Sequence, residues 1–234
     1  MFQTVVHSNK YVFEIMGNKH KVGFLFDLDG VLIDSESEYT RIWRKIDETF
    51  PTGIENFAIK IKGQTLPEIL SNHYPESLHG KVTDLLNEME QKMRYRMLPG
   101  AQEMLDSLSD LGIGRVLVTS SNDLKMQHLR EELPSLESCF DDIVTANRIS
   151  RSKPDPEGYL LGAKLLGASP RHCVVFEDSA QGVMAGRASG AYVVGLSTTL
   201  PAETLEPYTD RIVSTLAEVD LESLIKLLEN RETE

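Results

Sequence analysis

The chain is poor in the residues that staple or anchor a protein. Its 234 residues include two cysteines, Cys139 and Cys173, far apart and with no CxxC or clustered histidines around them. That spacing speaks against a disulfide scaffold or a thiolate zinc centre, and two reduced thiols are the expectation. No apolar run approaches the ~18–20 residues that span a bilayer. The first 20 residues mix Val, Phe and Tyr with His, Asn, Lys and Glu, without the continuous core of a signal peptide. Basic charge is also short: 24 Lys and Arg face 36 Asp and Glu, a net charge of −12. A nucleic-acid backbone demands a basic patch, so that class of partner is excluded. A cytoplasmic monomer bound to neither membrane nor nucleic acid is expected. Residues 1–20 read as an N-terminal arm, its first part either appended or an over-extended start upstream of Met16.

What the chain has is a set of short apolar runs: Val22–Phe26, Arg115–Val118, Ile143–Val144, Cys173–Phe176, Tyr192–Leu196 and Ile212–Val213. Amphipathic helical stretches such as Ala101–Leu111, Tyr159–Leu166 and Gly182–Ser189 separate most of them. This alternation predicts βαβ units and an α/β fold with a doubly wound, Rossmann-like parallel sheet. Gly112 and Gly167 stand where helices should stop. From about Ser35 to Met97 the alternation fails, and helical spacing takes over in Ser37–Phe50, Leu66–Tyr74 and Val82–Met97. The methionines of the last stretch read as core filler. The expected organisation is a catalytic core over 21–34 and 98–234, interrupted by an all-helical cap over 35–97 that shuts out water and touches substrate.

The chemistry lies at the strand ends. The first run hands over to Asp27 and Asp29, the second to Thr119, Ser120, Ser121 and Asn122, and the fourth to Glu177 and Asp178. Alone, Asp29-Gly30 reads equally as a turn or a site, and Ser179, Ser121 or Asn122 also suit helix caps. Capping does not explain acids gathered from distant segments at the one edge where α/β sheets bind ligands. Several carboxylates converging there suit a hard cation such as Mg2+. Lys153, set before Pro154, supplies compensating positive charge, and Thr119 with the amides after it suits a phosphoryl oxygen.

Asp27-Leu-Asp29-Gly30-Val31, Val118-Thr119-Ser120-Ser121-Asn122, Lys153-Pro154-Asp155-Pro156 and Phe176-Glu177-Asp178-Ser179, followed by Gly182 and Gly190, together resemble the four ordered motifs of the haloacid dehalogenase-like superfamily. The insertion after the first motif resembles the helical cap of its β-phosphoglucomutase-like branch. The resemblance implies that Asp27 is the nucleophile, forming an aspartyl phosphate, and that Asp29 is general acid and then base. It implies that Thr119 and Lys153 hold phosphoryl oxygens. Mg2+ would be held by Asp27, the Asp29 backbone carbonyl and Asp178, with Glu177 as a further ligand or a support behind it. Ser120, Ser121 and Asn122, and Gly63, Gln64 and Thr65 of the cap loop, are candidate substrate contacts.

The aspartate at the second position argues for phosphate-ester chemistry, because dehalogenating and phosphonate-cleaving relatives lack it. Aligned on the mutase, this chain has Tyr39 at the cap-histidine position and Leu66 at the cap-arginine position. Loss of that arginine removes a bidentate anion donor. A phosphatase of small phosphorylated metabolites, sugar or polyol phosphates, is therefore expected. The alternatives are a hexose-phosphate mutase and a catalytically idle phosphometabolite-binding protein.

Overall fold

In the computed structural model, which describes residues 21–61, 66–121 and 123–231 (backbone only at Leu124), each of the six apolar runs becomes a strand. These are β1 Gly23–Phe26, β2 Gly114–Val118, β3 Asp142–Val144, β4 Cys173–Glu177, β5 Tyr192–Leu196 and β6 Arg211–Val213. They pair in parallel throughout, in the order β3-β2-β1-β4-β5-β6. The expected doubly wound α/β sheet is what the chain forms.

The chain divides into two compact units. In Asp34–Arg96 the described regular elements are helices: α1 Glu36–Thr49, α2 Phe57–Lys60, α3 Leu66–His73 and α4 Glu76–Glu90. Ile42, Trp43 and Ile46 line the buried face of α1, as their spacing requires. The other unit carries the sheet with α5 Ala101–Asp110, α6 Asp123–Glu132, α7 Glu157–Leu166, α8 Ala180–Ser189, α9 Ala202–Leu205 and α10 Leu221–Glu229. Gly112 and Gly167 both end helices in the left-handed conformation at φ +64°, which favours glycine.

One expected helix is corrected. The stretch Val82–Met97 is not helical to its end: α4 stops at Glu90, and the chain turns through Lys92 N–H to Met89 O and Met93 N–H to Glu90 O. Beyond the turn, buried Met93 and Tyr95 alternate with exposed Arg94 and Arg96. That is the two-residue period of extended chain. The returning segment is tied to the outgoing one by Asp34 N–H on Arg96 O at 2.9 Å.

Both faces of the sheet are covered, which explains its near-continuous apolar strands. On one face Phe24, Phe26 and Phe176 stack, the closest pair having ring centroids 4.8 Å apart. On the other, Leu25, Val116, Val118, Val144 and Val175 pack with Tyr159, Ala163 and Leu166 of α7. Each fully buried side chain of this size contributes roughly 1.5–3 kcal/mol. The strand order reverses at β1: the chain winds outward to β2 and β3, then crosses to β4. The carboxyl ends of β1 and β4 therefore flank the crevice where open α/β sheets bind ligands.

Candidate active site

The residues after β1 fold back at once. Gly30 N–H donates to Ile33 O, and Leu32 and Ile33 N–H to Leu28 O, so Asp27 and Asp29 stand on a tight loop. Gly30 makes the reversal at φ +70°. A Cβ there would lie 1.8 Å from Asp178 Oδ2, so no side chain fits between the two motifs.

Lys153 reaches this loop and uses all three of its ammonium protons. It donates to Asp27 Oδ1, to Glu177 Oε1 at 2.6 Å and to Val118 O at 3.2 Å. Its ammonium also lies 5.1 Å from the centre of the Tyr159 ring. Burial alone depresses the Lys153 pKa, but the Asp27 and Glu177 charges more than reverse this and hold it protonated.

Glu177 is fully buried and saturated with donors. Oε1 accepts from Lys153 and from the Tyr159 hydroxyl at 2.8 Å. Oε2 accepts from the Asp178 and Ser179 amides at 3.0 and 3.1 Å and from Ser179 Oγ at 3.0 Å. Ser179 then accepts Gly182 N–H at 3.0 Å, capping α8. One residue thus ties the end of β4 to the start of the next helix and holds Lys153 in place.

Thr119 is buried, and its hydroxyl accepts Ser121 N–H at 3.0 Å while its own proton can still be donated to a ligand. Ser121 is buried and Ser120 exposed. Ser121 Oγ lies 3.4 Å from Asp29 Oδ2. Asn122, Gly63, Gln64 and Thr65 lie outside the described residues.

The side chains of Asp27, Glu177 and Asp178 each offer an oxygen within 4.8 Å of the other two, a grouping that can hold a metal ion. The electrostatics fit a divalent cation. Burial, with Glu177 and Asp29 nearby, pushes the Asp27 carboxyl up despite Lys153. Burial, then Glu177 and Asp27, pushes Asp178 up, and the nearby Thr199 hydroxyl opposes this. Among the described residues no basic side chain lies within ion-pair distance of Asp178, while Lys153 serves Asp27 and Glu177, and Lys125 serves Asp29. Four carboxylates against two ammonium groups leave two negative charges, and oxygen ligands of this hardness suit Mg2+. Because protein donors occupy both Glu177 oxygens, Asp27 and Asp178 are the better placed to give an oxygen to the ion.

Three features escaped the sequence reading. Lys125 on α6 donates to both Asp29 oxygens at 2.7 Å. Tyr159 was expected only as a helix-face residue. Thr198 and Thr199, after β5, face the same loop: Thr198 Oγ1 donates to Gly30 O at 2.5 Å. The rule that strand ends carry the chemistry points to this threonine pair, whereas nothing in an isolated helical lysine distinguishes Lys125 from a solvated one.

No described helix is long and apolar enough to cross a membrane. The sequence profile described as "haloacid dehalogenase-like hydrolase" matches residues 22–190. The chain is 34% identical over 187 residues to hexitol phosphatase A of Escherichia coli, covering 78% of this chain and 85% of that protein. It is 31% identical over 205 residues to validoxylamine A 7'-phosphate phosphatase of Streptomyces hygroscopicus, covering 83% and 94%. A crystal structure of a hydrolase of this family from Deinococcus radiodurans, with bound phosphate and sodium, superposes with a TM-score of 0.75 at 25% identity, covering 92% of this chain and all of that one. The β-phosphoglucomutase of Clostridium difficile shares the fold, with a TM-score of 0.68 at 23% identity, covering 89% and 97%. The named relatives are phosphoric monoester hydrolases, and the chain belongs to the haloacid dehalogenase-like hydrolases, with β-phosphoglucomutase-like proteins as its structural neighbours.

Proposed function

We propose that the protein is a Mg2+-dependent phosphatase of small phosphorylated metabolites, sugar or polyol phosphates, working through an aspartyl phosphate. The observation that carries this reading is Asp27, at the switch point of the sheet, with Lys153 on one carboxylate oxygen and Asp178 nearby. A second carboxylate, Asp29, stands two residues on.

In the first step an Asp27 carboxylate oxygen attacks phosphorus and the P–O bond to the alcohol breaks. The departing oxygen takes the electron pair and a proton from Asp29. In the second step Asp29 accepts a proton from water, the water oxygen attacks phosphorus, and the bond to Asp27 breaks, regenerating its carboxylate. Thr119 Oγ1 donates to one phosphoryl oxygen, and Lys153 Nζ reaches another by giving up the longest of its three bonds, the one to Val118 O at 3.2 Å. Asp27 and Asp178, with the Asp29 backbone carbonyl, would hold Mg2+. When bound, the ion neutralises charge on the phosphoryl group. Lys153 also offsets charge on Asp27, and the buried setting strengthens each of these interactions.

Residues 34–96 serve in this reading as the cap that selects the substrate, and the enzyme acts in the cytoplasm as a monomer. By their names the two curated relatives are phosphatases, one of hexitol phosphates and one of validoxylamine A 7'-phosphate, which supports hydrolysis over mutase chemistry.

The test is phosphate release from a panel of sugar and polyol phosphates, with Mg2+ and with EDTA. Release is expected only with Mg2+, and Asp27→Asn and Asp29→Asn should fall to background. Full activity in either variant overturns the reading. Interconversion of sugar phosphates that depends on a bisphosphate activator marks a mutase instead, and Mg2+ binding without turnover marks an idle binding protein.

A further inference from the structure

The loop after β5 carries two threonines in sequence, Thr198 and Thr199, and they have different situations. Thr198 commits its hydroxyl to Gly30 O at 2.5 Å, tying this loop to the backbone that follows Asp29. That anchor delivers its neighbour to the acidic cluster. Thr199 Oγ1 and Asp178 Oδ2 lie 2.8 and 1.8 Å from the same point, the position of a Cβ on Gly30. Yet among the described residues no group completes a hydrogen bond of acceptable geometry with the buried Thr199 Oγ1, although it lies close enough to Asp178 to oppose the rise of that carboxyl's pKa.

A buried hydroxyl without a partner carries a desolvation cost that proteins seldom leave standing, so such a group calls for a role. Packing does not supply one, because a valine has the same shape without that cost. Beside Thr199 Oγ1 stands a carboxylate which, in the reading above, gives one oxygen to a cation and leaves the other needing a donor. Carboxylates that ligate metals are themselves hydrogen-bonded, and those partners fix their orientation.

We propose that Thr199 is a positioning residue for the metal site, its hydroxyl donating to the Asp178 carboxylate and orienting it to hold Mg2+. The loop after β5 is thereby a fourth strand end contributing to the site, alongside those of β1, β2 and β4. This inference rests on the metal-dependent reading of the protein, and adds to it a residue that sets ion affinity without touching the substrate.

The experiment is Mg2+ binding to the full chain by isothermal titration calorimetry, for wild type, Thr199→Val, Thr199→Ala and Thr199→Ser, together with melting temperatures in EDTA. Loss of the hydroxyl in either Val or Ala should weaken Mg2+ binding roughly 10- to 100-fold, the usual effect of removing such a partner. Serine, which keeps the hydroxyl, should bind Mg2+ near wild type, and in EDTA Thr199→Val should melt no lower than wild type, since it removes an unpaired buried hydroxyl. Binding by Thr199→Val within twofold of wild type overturns the inference and leaves the phosphatase reading intact. A drop in EDTA melting temperature that serine does not rescue shows a purely structural residue and overturns it also. If wild type itself binds no Mg2+, the metal-dependent reading fails and takes the inference with it.

Discussion

Lys125 Nζ sits 2.7 Å from each carboxylate oxygen of Asp29, holding the proposed acid–base residue by both atoms. A charge-assisted pair is stronger than a neutral one and fixes direction as well as distance. The lysine side chain is 19% exposed and the aspartate 32%, so solvent screening places the effect at the low end of the range for charged hydrogen bonds. Lys125→Met should reduce kcat about tenfold, or about 1.4 kcal/mol. KM should change little, because the residue acts on Asp29. Steady-state kinetics on one good substrate checks this, and a rise in KM at constant kcat would instead assign Lys125 to substrate binding.

Two glycines should respond oppositely to alanine. A Cβ on Gly182 would lie 1.8 Å from Glu177 Oε1 and 1.9 Å from Cδ, and Glu177 is fully buried with its neighbours fixed. Gly182→Ala must displace that carboxylate, so it should destabilise at the upper end of the roughly 1–3 kcal/mol of overpacking and abolish activity. A Cβ on Gly80, inside α4, meets nothing within 4 Å. Gly80→Ala should stabilise by roughly 0.5–1 kcal/mol, the helical cost of glycine. Urea unfolding of both variants, with phosphate release, gives the comparison.

The metal-free protein should lose stability as pH rises. Asp27 and Asp178 are pushed up to about 7 and about 9, by burial first and by their acidic neighbours next. Unfolded, both titrate near the ordinary value of about 4. Between those limits the folded state binds more protons than the unfolded one, so unfolding free energy falls with pH across that window. Ligation by Mg2+ requires the deprotonated forms, so the ion should compete with protons and cancel the loss. Melting temperatures in EDTA should therefore drop from about pH 5 to about pH 8, inside that window. Added Mg2+ should raise the melting temperature more at the upper end of this range than at the lower.

The strands and the acids at their ends are legible in the sequence because each is local. A buried parallel strand is a short apolar run, and the residue after it faces the ligand edge whatever lies elsewhere. Lys125 was not legible, since its meaning depends on the bearing of α6 relative to Asp29, 96 residues away. Tyr159 has the spacing of a core residue and is one; its hydroxyl becomes informative only when Glu177 is seen beside it. Met93 and Met97 misled for another reason. Residues four apart lie on one face of a helix and also on one side of an extended chain, so their spacing fits both periods. The burial of Tyr95 between them decides for the second.

The hydrogen bonds of Glu177 make a last prediction that separates its charge from its shape. Five protein donors converge on its two oxygens. Tyr159→Phe removes one of them and leaves Lys153 to satisfy Oε1, so the loss should be about 1 kcal/mol, the net worth of an ordinary hydrogen bond. Glu177→Gln keeps the shape but puts an amide NH2 where only donors face it, whichever way the group turns. It also removes the fully buried negative charge 2.6 Å from Lys153, whose side chain is 11% exposed. Breaking such a pair from one side costs roughly 3–5 kcal/mol. Lys153 retains Asp27, which argues for the lower part of that range. Denaturant unfolding should rank wild type above Tyr159→Phe above Glu177→Gln. The double variant should lose less than the two single losses added, because the substituted amide can no longer accept from both groups that meet at Oε1.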